Sequence, residues 1–152
     1  MADVKNPVNL MITVDDGSRR VPIQNTRGEE IGSFTFHPTD IGIIDRYNGL
    51  AGVFDDITAP LESVEMTDET NLSDPALLEA LAEAKKRLYS AVNALFGSED
   101  AAEAFFGSMH PFSPVNGEFY ATQVLQQVGA FISDQFSAEV KALSKKARKY
   151  LK

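Results

Sequence analysis

A long helical pattern over residues 118–150 restricts the fold of this chain more than any other feature. Its apolar residues recur every three or four positions, as they do on one face of an amphipathic helix. A helix of this length would extend about 50 Å, whereas a compact domain of 152 residues is only about 40 Å across. We therefore expect the helix either to bend, with Gly129 as the candidate position, or to project its basic end beyond the body.

The composition is that of one globular domain covering residues 1–152, with 43% hydrophobic residues and no cysteine. The lack of cysteine excludes a disulfide framework, a thiolate zinc site and a cysteine nucleophile. With His37 and His110 as the only histidines, we expect no metal site and no cofactor. There is no apolar run of about 18 residues and no signal-peptide core near the N-terminus, so a cytoplasmic protein without a membrane partner is expected.

Charge is divided unevenly along the chain. The net charge of −8 argues against a general nucleic-acid binder. All 22 Asp and Glu residues precede residue 141, so residues 1–140 carry −14 and the basic tail at 141–152 carries +6. This tail is either an arm that docks on an acidic partner, RNA or a second copy, or a set of cations favoured by the dipole at a helix C-terminus.

The N-terminal part predicts a small antiparallel β-meander over residues 9–37, after a loose lead-in at residues 1–8. Turn residues separate three short β-type runs. The middle run contains Pro22, which lacks an N–H donor and therefore belongs on a sheet edge. Three strands are marginal alone and need a helix against their apolar face. The predicted strands are Leu10–Val14, Arg20–Gln24 and Ile31–His37.

Residues 39–152 read as helical, so the predicted class is α+β: a meander packed on a helical bundle, with a long C-terminal helix. A first helix is capped by Thr39 or Asp40 and ends near Pro60, and residues 61–74 read as an acidic linker. The second runs from an Asp74 N-cap to Gly97, and a short one follows Ser98. A loop at residues 108–117 then precedes the long helix at residues 118–150.

The second helix carries a heptad-like apolar seam between Leu77 and Leu95. This seam indicates either one helix of the bundle or a coiled-coil face that pairs with a partner. Together with the long helix it offers more apolar surface than a small sheet can cover, so self-association is a further expectation.

The motifs of common enzyme classes are missing. There is no nucleophile elbow, no P-loop and no dinucleotide-binding glycine pattern. The carboxylate pairs Asp15/Asp16 and Asp55/Asp56 are adjacent in sequence, and such neighbours usually point apart. A non-enzymatic protein is therefore predicted, although a small enzyme that uses carboxylates or a histidine base stays open.

Residues 28–48, GEEIGSFTFHPTDIGIIDRYN, resemble small proteins encoded in the tail-assembly region of phages and prophages of Gram-positive bacteria. In that group a strand of form G-E-x-I-G-x-F-x-F leads through P-T-D into a helix with R-Y-N. The segments Phe96-Gly97 to Phe106-Gly107, then Phe119-Tyr120 and Gln123-Val124 also fit the group. Together the similar segments cover about half of the chain.

The resemblance implies a tail assembly chaperone of the host cytoplasm that binds the phage tape-measure protein and keeps its hydrophobic helices from aggregating. The alternative is a structural subunit of the mature tail or the head–tail joint, with the meander extending a neighbour's sheet. Apolar side chains around the 108–117 loop and on the long helix are the candidate partner-binding residues, although Met109 and Phe112 could instead plug the core. These candidates are Phe105, Phe106, Met109, Phe112, Phe119, Tyr120, Phe131 and Phe136.

Overall fold

The structure is a computed structural model that describes residues 10–62 and 73–150, and the side chains of residues 10–61 and 73–146. It is α+β as predicted, with an N-terminal hairpin, packed helices and a long C-terminal helix. The predicted lead-in at residues 1–8 and most of the predicted linker at 61–74 lie outside the described residues. The elements are β1 (Arg19–Gln24), β2 (Glu30–Phe36), α1 (Gly42–Glu62), α2 (Pro75–Phe96), α3 (Ala101–Phe106), β3 (Pro114–Val115), β4 (Glu118–Phe119) and α4 (Tyr120–Tyr150).

Only two strands of the predicted meander are present. β1 pairs antiparallel with β2, Val21 lies opposite Phe34, and Pro22 sits in the edge strand as predicted. The prediction of a first strand at Leu10–Val14 was wrong, because these residues form no strand and are exposed. Pro22 offers no N–H donor along the outer edge of β1, which makes that edge a poor partner for a third strand.

One face of the hairpin closes the core. Phe34 and Phe36 alternate along β2 and are 6% and 3% exposed. Their rings pack on Phe96 at the end of α2, with centroids 4.8 and 4.9 Å away. The opposite edge of β2 is covered by α3, where a Cβ at Gly32 would overlap the backbone of Ala104. The hairpin is therefore held between helices, as a short sheet requires.

Helices α1 and α2 start at caps that the sequence predicts. The Asp40 carboxylate accepts a hydrogen bond from the Gly42 N–H at 3.0 Å, so Asp40 and not Thr39 caps α1. Asp74 accepts one from the Ala76 N–H at 3.0 Å, and Gly97 adopts a left-handed φ of 63° after α2. Pro60 does not end α1, which continues to Glu62.

The seam of α2 belongs to the core of this chain. Its apolar positions lie inside the bundle, where α2 packs against α1 and α3, and several are fully buried. The bundle interpretation is therefore confirmed and the coiled-coil alternative is wrong. The buried seam residues are Leu77, Ala84, Leu88 and Leu95.

The connection into α4 contains a small hairpin, where the sequence predicts a loop at residues 108–117. β3 pairs with β4 across Asn116 and Gly117, which have φ of 53° and 84°. Positive φ at both central residues defines the tight hairpin turn for which Asn-Gly is the preferred pair.

Helix α4 crosses the body and then leaves it. Val124, Val128 and Ile132 are buried, whereas every residue from 137 to 146 is exposed. Projection, one of the two predicted alternatives, is therefore confirmed for the described part of the basic end. Helix α4 is continuous through Gly129, where the helix makes a close contact: a Cβ there would lie 2.5 Å from the Tyr47 hydroxyl.

Candidate interaction surface

The eight candidate partner-binding residues divide into core and surface. Phe106 and Phe112 are 2% and 1% exposed, so they are core residues and cannot contact a partner in the folded chain. Phe112 plugs the core, where its ring meets Phe119 edge-on at 5.3 Å. The other six candidates are half-buried, with part of their surface accessible: Phe105, Met109, Phe119, Tyr120, Phe131 and Phe136. All of them except Met109 pack against the core.

Two of these six residues line a cavity of about 240 Å³ between the hairpin and α4. Phe105 and Phe131 form part of its wall, opposite Val21 and Ile23 of β1. Tyr120 does not line this cavity. Its hydroxyl donates to the Phe105 carbonyl at 3.2 Å, and burial raises the pKa of that hydroxyl. The predicted aromatic set is therefore not one continuous surface.

A different surface is formed by apolar side chains near the start of α1 and on α4, and we call it the α1–α4 surface: Ile44, Phe136 and Val140, with Ile41 three residues before Ile44 and Leu143 three residues after Val140. The exposed fractions are 76% for Ile41, 43% for Ile44, 54% for Val140 and 68% for Leu143. Ile44, Phe136 and Val140 also line a groove of about 470 Å³ between the two helices. The surface continues along α4 beyond the start of α1, because Phe136, Val140 and Leu143 are spaced at helical intervals.

A hydrogen bond joins α1 to α4 beside this groove. The Tyr47 hydroxyl donates to the Leu125 carbonyl at 2.8 Å, and Gly129 leaves room for the ring. Arg46, the preceding residue, donates from Nε to the Leu95 carbonyl at the end of α2, at 2.9 Å. Arg46 and Tyr47 of the R-Y-N motif therefore hold α1 in place, while Asn48 lines the open groove.

A second exposed apolar feature is the segment Leu10–Val14, which we call the N-terminal run. Leu10 is 93% exposed and Ile12 is 92% exposed, with Met11 and Val14 at 67% and 74%. Asp15 and Asp16 follow it and accept hydrogen bonds from the Gly17 and Ser18 N–H groups, which forms a tight polar turn before β1. Four large apolar side chains thus stand in solvent beside two carboxylates.

The projecting end of α4 supplies cations next to the α1–α4 surface. Lys141, Lys145 and Lys146 form no ion pair with any described residue. The arginines of the body are different, because each has a carboxylate within 3.4 Å. The arginine pairs are Arg19–Asp15, Arg20–Glu30, Arg27–Glu29, Arg46–Asp40 and Arg87–Glu83.

Both histidine rings are held by hydrogen-bond partners. His110 Nδ1 accepts from the Phe112 N–H at 3.1 Å, so the proton lies on Nε2, which donates to the Leu81 carbonyl at 3.2 Å. Desolvation lowers the pKa of His110 and keeps the ring neutral. His37 Nε2 lies 2.8 Å from the Asp16 carboxylate, and this contact, with the Ser18 N–H, lowers the pKa of Asp16.

Within residues 10–62 and 73–150, no group of three or more His, Asp and Glu side chains could hold a metal ion. No helix in the same ranges is long and apolar enough to cross a membrane.

Four of the five residues of the α1–α4 surface were absent from the predicted set: Ile41, Ile44, Val140 and Leu143. A sequence signal for two of them exists, because Val140 and Leu143 continue the apolar face of α4 past the point where a compact body can cover it. Nothing in the sequence places Ile44 beside Val140, with which it lines the groove. That juxtaposition depends on the packing of α1 against α4.

Comparison with known proteins finds no family model, no curated protein and no solved structure that matches this chain.

Proposed function

We propose that this chain is a non-enzymatic assembly chaperone of a bacterial phage or prophage tail. It binds apolar helices of the tape-measure protein in the host cytoplasm before the tail tube forms. The observation that carries the proposal is the α1–α4 surface, an unpartnered apolar face on an otherwise strongly acidic body. The resemblance of residues 28–48 to tail-assembly proteins supports the same role.

The shape of this surface suits a helical client. The groove between α1 and α4 is about 470 Å³ and is lined by Ile44, Ile132, Phe136 and Val140. An amphipathic helix binds such a groove by inserting side chains at intervals of three and four residues. The charge of the body keeps the complex in solution while the apolar client residues are covered.

Co-expression with the long helix-rich protein encoded downstream tests the proposal. The wild-type chain is expected to co-purify with that protein and keep it in the soluble fraction. Val140→Asp is expected to abolish both effects, because it places a charge in the groove without disturbing the core. Leu78→Asp is the matched control, since Leu78 is equally exposed at 54% but lies on α2 away from the groove. Equal loss in both variants, or retention in both, would contradict the proposal.

A structural subunit of the mature tail is the second candidate. The exposed N-terminal run favours it, because an extended apolar segment beside a hairpin can add a strand to a neighbour's sheet. Purified tail particles separate the two roles: a chaperone leaves before completion, whereas a subunit stays in stoichiometric amount. A client that remains insoluble, with the chain present in particles, would replace the first candidate by the second.

A further inference from the structure

Exposed apolar side chains are not scattered over this protein. Ten large hydrophobic residues are exposed in the described part of the chain, and eight of them fall into two groups. One group is the N-terminal run, with Leu10, Met11, Ile12 and Val14. The other is the α1–α4 surface, where the four exposed members are Ile41, Ile44, Val140 and Leu143.

The C-terminal end of the N-terminal run lies close to the segment that precedes Ile41. Asp16 contacts His37 at 2.8 Å, and Gly17 packs beside Thr39, so the end of the run lies close to the residues that lead into Ile41. The same contacts anchor the turn that follows the run. In this arrangement the run does not fold back on its own chain, because Leu10 and Ile12 remain more than 90% exposed.

The acidic body and the basic end of α4 are complementary in charge. Asp15 and Asp16 are already held by Arg19 and His37, but residues 1–140 as a whole carry a net charge of −14. Lys141 and Lys145 follow Val140 on α4 and form no ion pair with any described residue. Two α4 ends brought together would instead place like charges side by side. A contact between the run of one copy and the α1–α4 surface of another therefore matches apolar with apolar and brings the basic end of α4 to an acidic body.

We propose that two copies of this chain form a symmetric dimer in which each N-terminal run docks on the α1–α4 surface of the other copy. Because each run is rooted beside its own α1–α4 surface, one two-fold axis brings both exchanges into a single isologous interface. In the absence of a client, the dimer interface covers the surface that the proposed client would bind. Formation of the dimer does not require the client.

The available area is sufficient for such an interface. A Leu, Ile, Met or Val side chain contributes roughly 60–120 Å² of apolar surface, by the usual conversion of transfer energy to area. At their observed exposures, the eight side chains offer about 350–700 Å² per copy. A standard interface buries about 800 Å² per partner, of which somewhat over half is apolar.

Analytical ultracentrifugation of the full chain over a concentration series tests the dimer. The wild type is expected to sediment as a dimer, and Ile12→Asp and Val140→Asp are each expected to be monomeric. Each variant damages both two-fold-related contacts, so the dimer Kd is expected to rise by about 100-fold or more. Leu78→Asp adds the same charge outside both groups and should leave the Kd unchanged.

Mixing the two variants identifies which elements touch. A heterodimer of the two variants keeps one intact contact. In it, the unaltered run of the Val140→Asp chain docks on the unaltered α1–α4 surface of the Ile12→Asp chain. Differently tagged variants should therefore co-purify at concentrations where each alone is monomeric, with a Kd about tenfold above that of the wild type.

Three results would overturn the exchange. A monomeric wild type would show that nothing from a second copy covers the surface, and protection of the run from hydrogen exchange in that monomer would indicate folding in cis. A dimer that survives either substitution would place the interface elsewhere. Failure of the mixed variants to pair would indicate contacts between two runs or between two α4 ends. The client pull-down is a separate readout, so this inference and the proposed function can fail independently.

Discussion

Tyr47 lies directly over Gly129, and its hydroxyl donates a 2.8 Å hydrogen bond to the Leu125 carbonyl one turn earlier in α4. This contact fixes the distance between α1 and α4, and hence the groove above it. It is possible because residue 129 has no side chain. The glycine therefore determines whether the α1–α4 surface exists in its present form.

Gly129→Ala is expected to destabilise the fold by about 1–3 kcal/mol, because its Cβ would lie 2.5 Å from the Tyr47 hydroxyl and force the ring away. Gly49→Ala is the matched control. Gly49 is also helical, but nothing lies within 4 Å of its Cβ position, so alanine there should stabilise by about 0.5–1 kcal/mol. Urea denaturation of the two variants measures both changes, and effects of the same sign would contradict the role given to the Tyr47 contact.

Phe112→Ala is expected to lower the free energy of unfolding by about 3–5 kcal/mol, because it removes a ring that is 1% exposed. Leu143→Ala, in a side chain that is 68% exposed, should change it by less than about 0.5 kcal/mol. Thermal or chemical denaturation separates core from surface at these positions. A mild effect at Phe112 would restore that residue as a candidate for partner binding.

His110 is expected to make stability depend on pH near neutrality. Its pKa is lowered in the folded state by desolvation, so the unfolded chain binds more protons below the unfolded pKa of about 6.5. The contribution of neutral His110 to the free energy of unfolding is fully present above that pH. It declines as the pH falls from there towards the folded pKa. Denaturation between pH 8 and pH 5 should show a smaller slope in His110→Gln than in the wild type. Equal slopes would remove His110 as the source.

Asp16 is expected to titrate well below an ordinary aspartate, because His37 and the Ser18 N–H both contact its carboxylate. Its stabilising contribution is present above the unfolded pKa of about 3.9 and is lost as pH falls through the folded value. In NMR titration, His37→Ala should raise the pKa of Asp16 towards the ordinary value. An unchanged Asp16 pKa would show that His37 does not anchor the root of the N-terminal run.

The sequence was informative where local chemistry decides the structure. Asp74 and Pro75 begin α2, and Gly97 follows it in a left-handed conformation, as capping chemistry predicts. The Asn116-Gly117 turn carries an equally local signal, but two strands of only two residues each give too short a pattern to predict from sequence. Leu10–Val14 shows the limit of such signals, since a β-type run forms a strand only where another edge accepts it.

The candidate surface depended more on tertiary packing than the helix ends and turns did. Phe106 and Phe112 have the composition of an adaptable binding site, yet their environment places them in the core. Ile44 and Val140 are ordinary apolar positions of two helices that are distant in the chain. Their shared groove arises only when Tyr47 and Gly129 bring those helices together.

The sequence by itself determined the α+β class, the helix boundaries at Asp74 and Gly97, and a C-terminal helix too long to stay straight within a compact body. These features follow from capping, turn chemistry and the length of an apolar repeat, all of which act over a few residues or scale with chain length. Only the tertiary structure decided which apolar side chains remain in solvent. Burial is a property of the assembled elements, because it depends on what lies opposite each side chain after distant segments have packed.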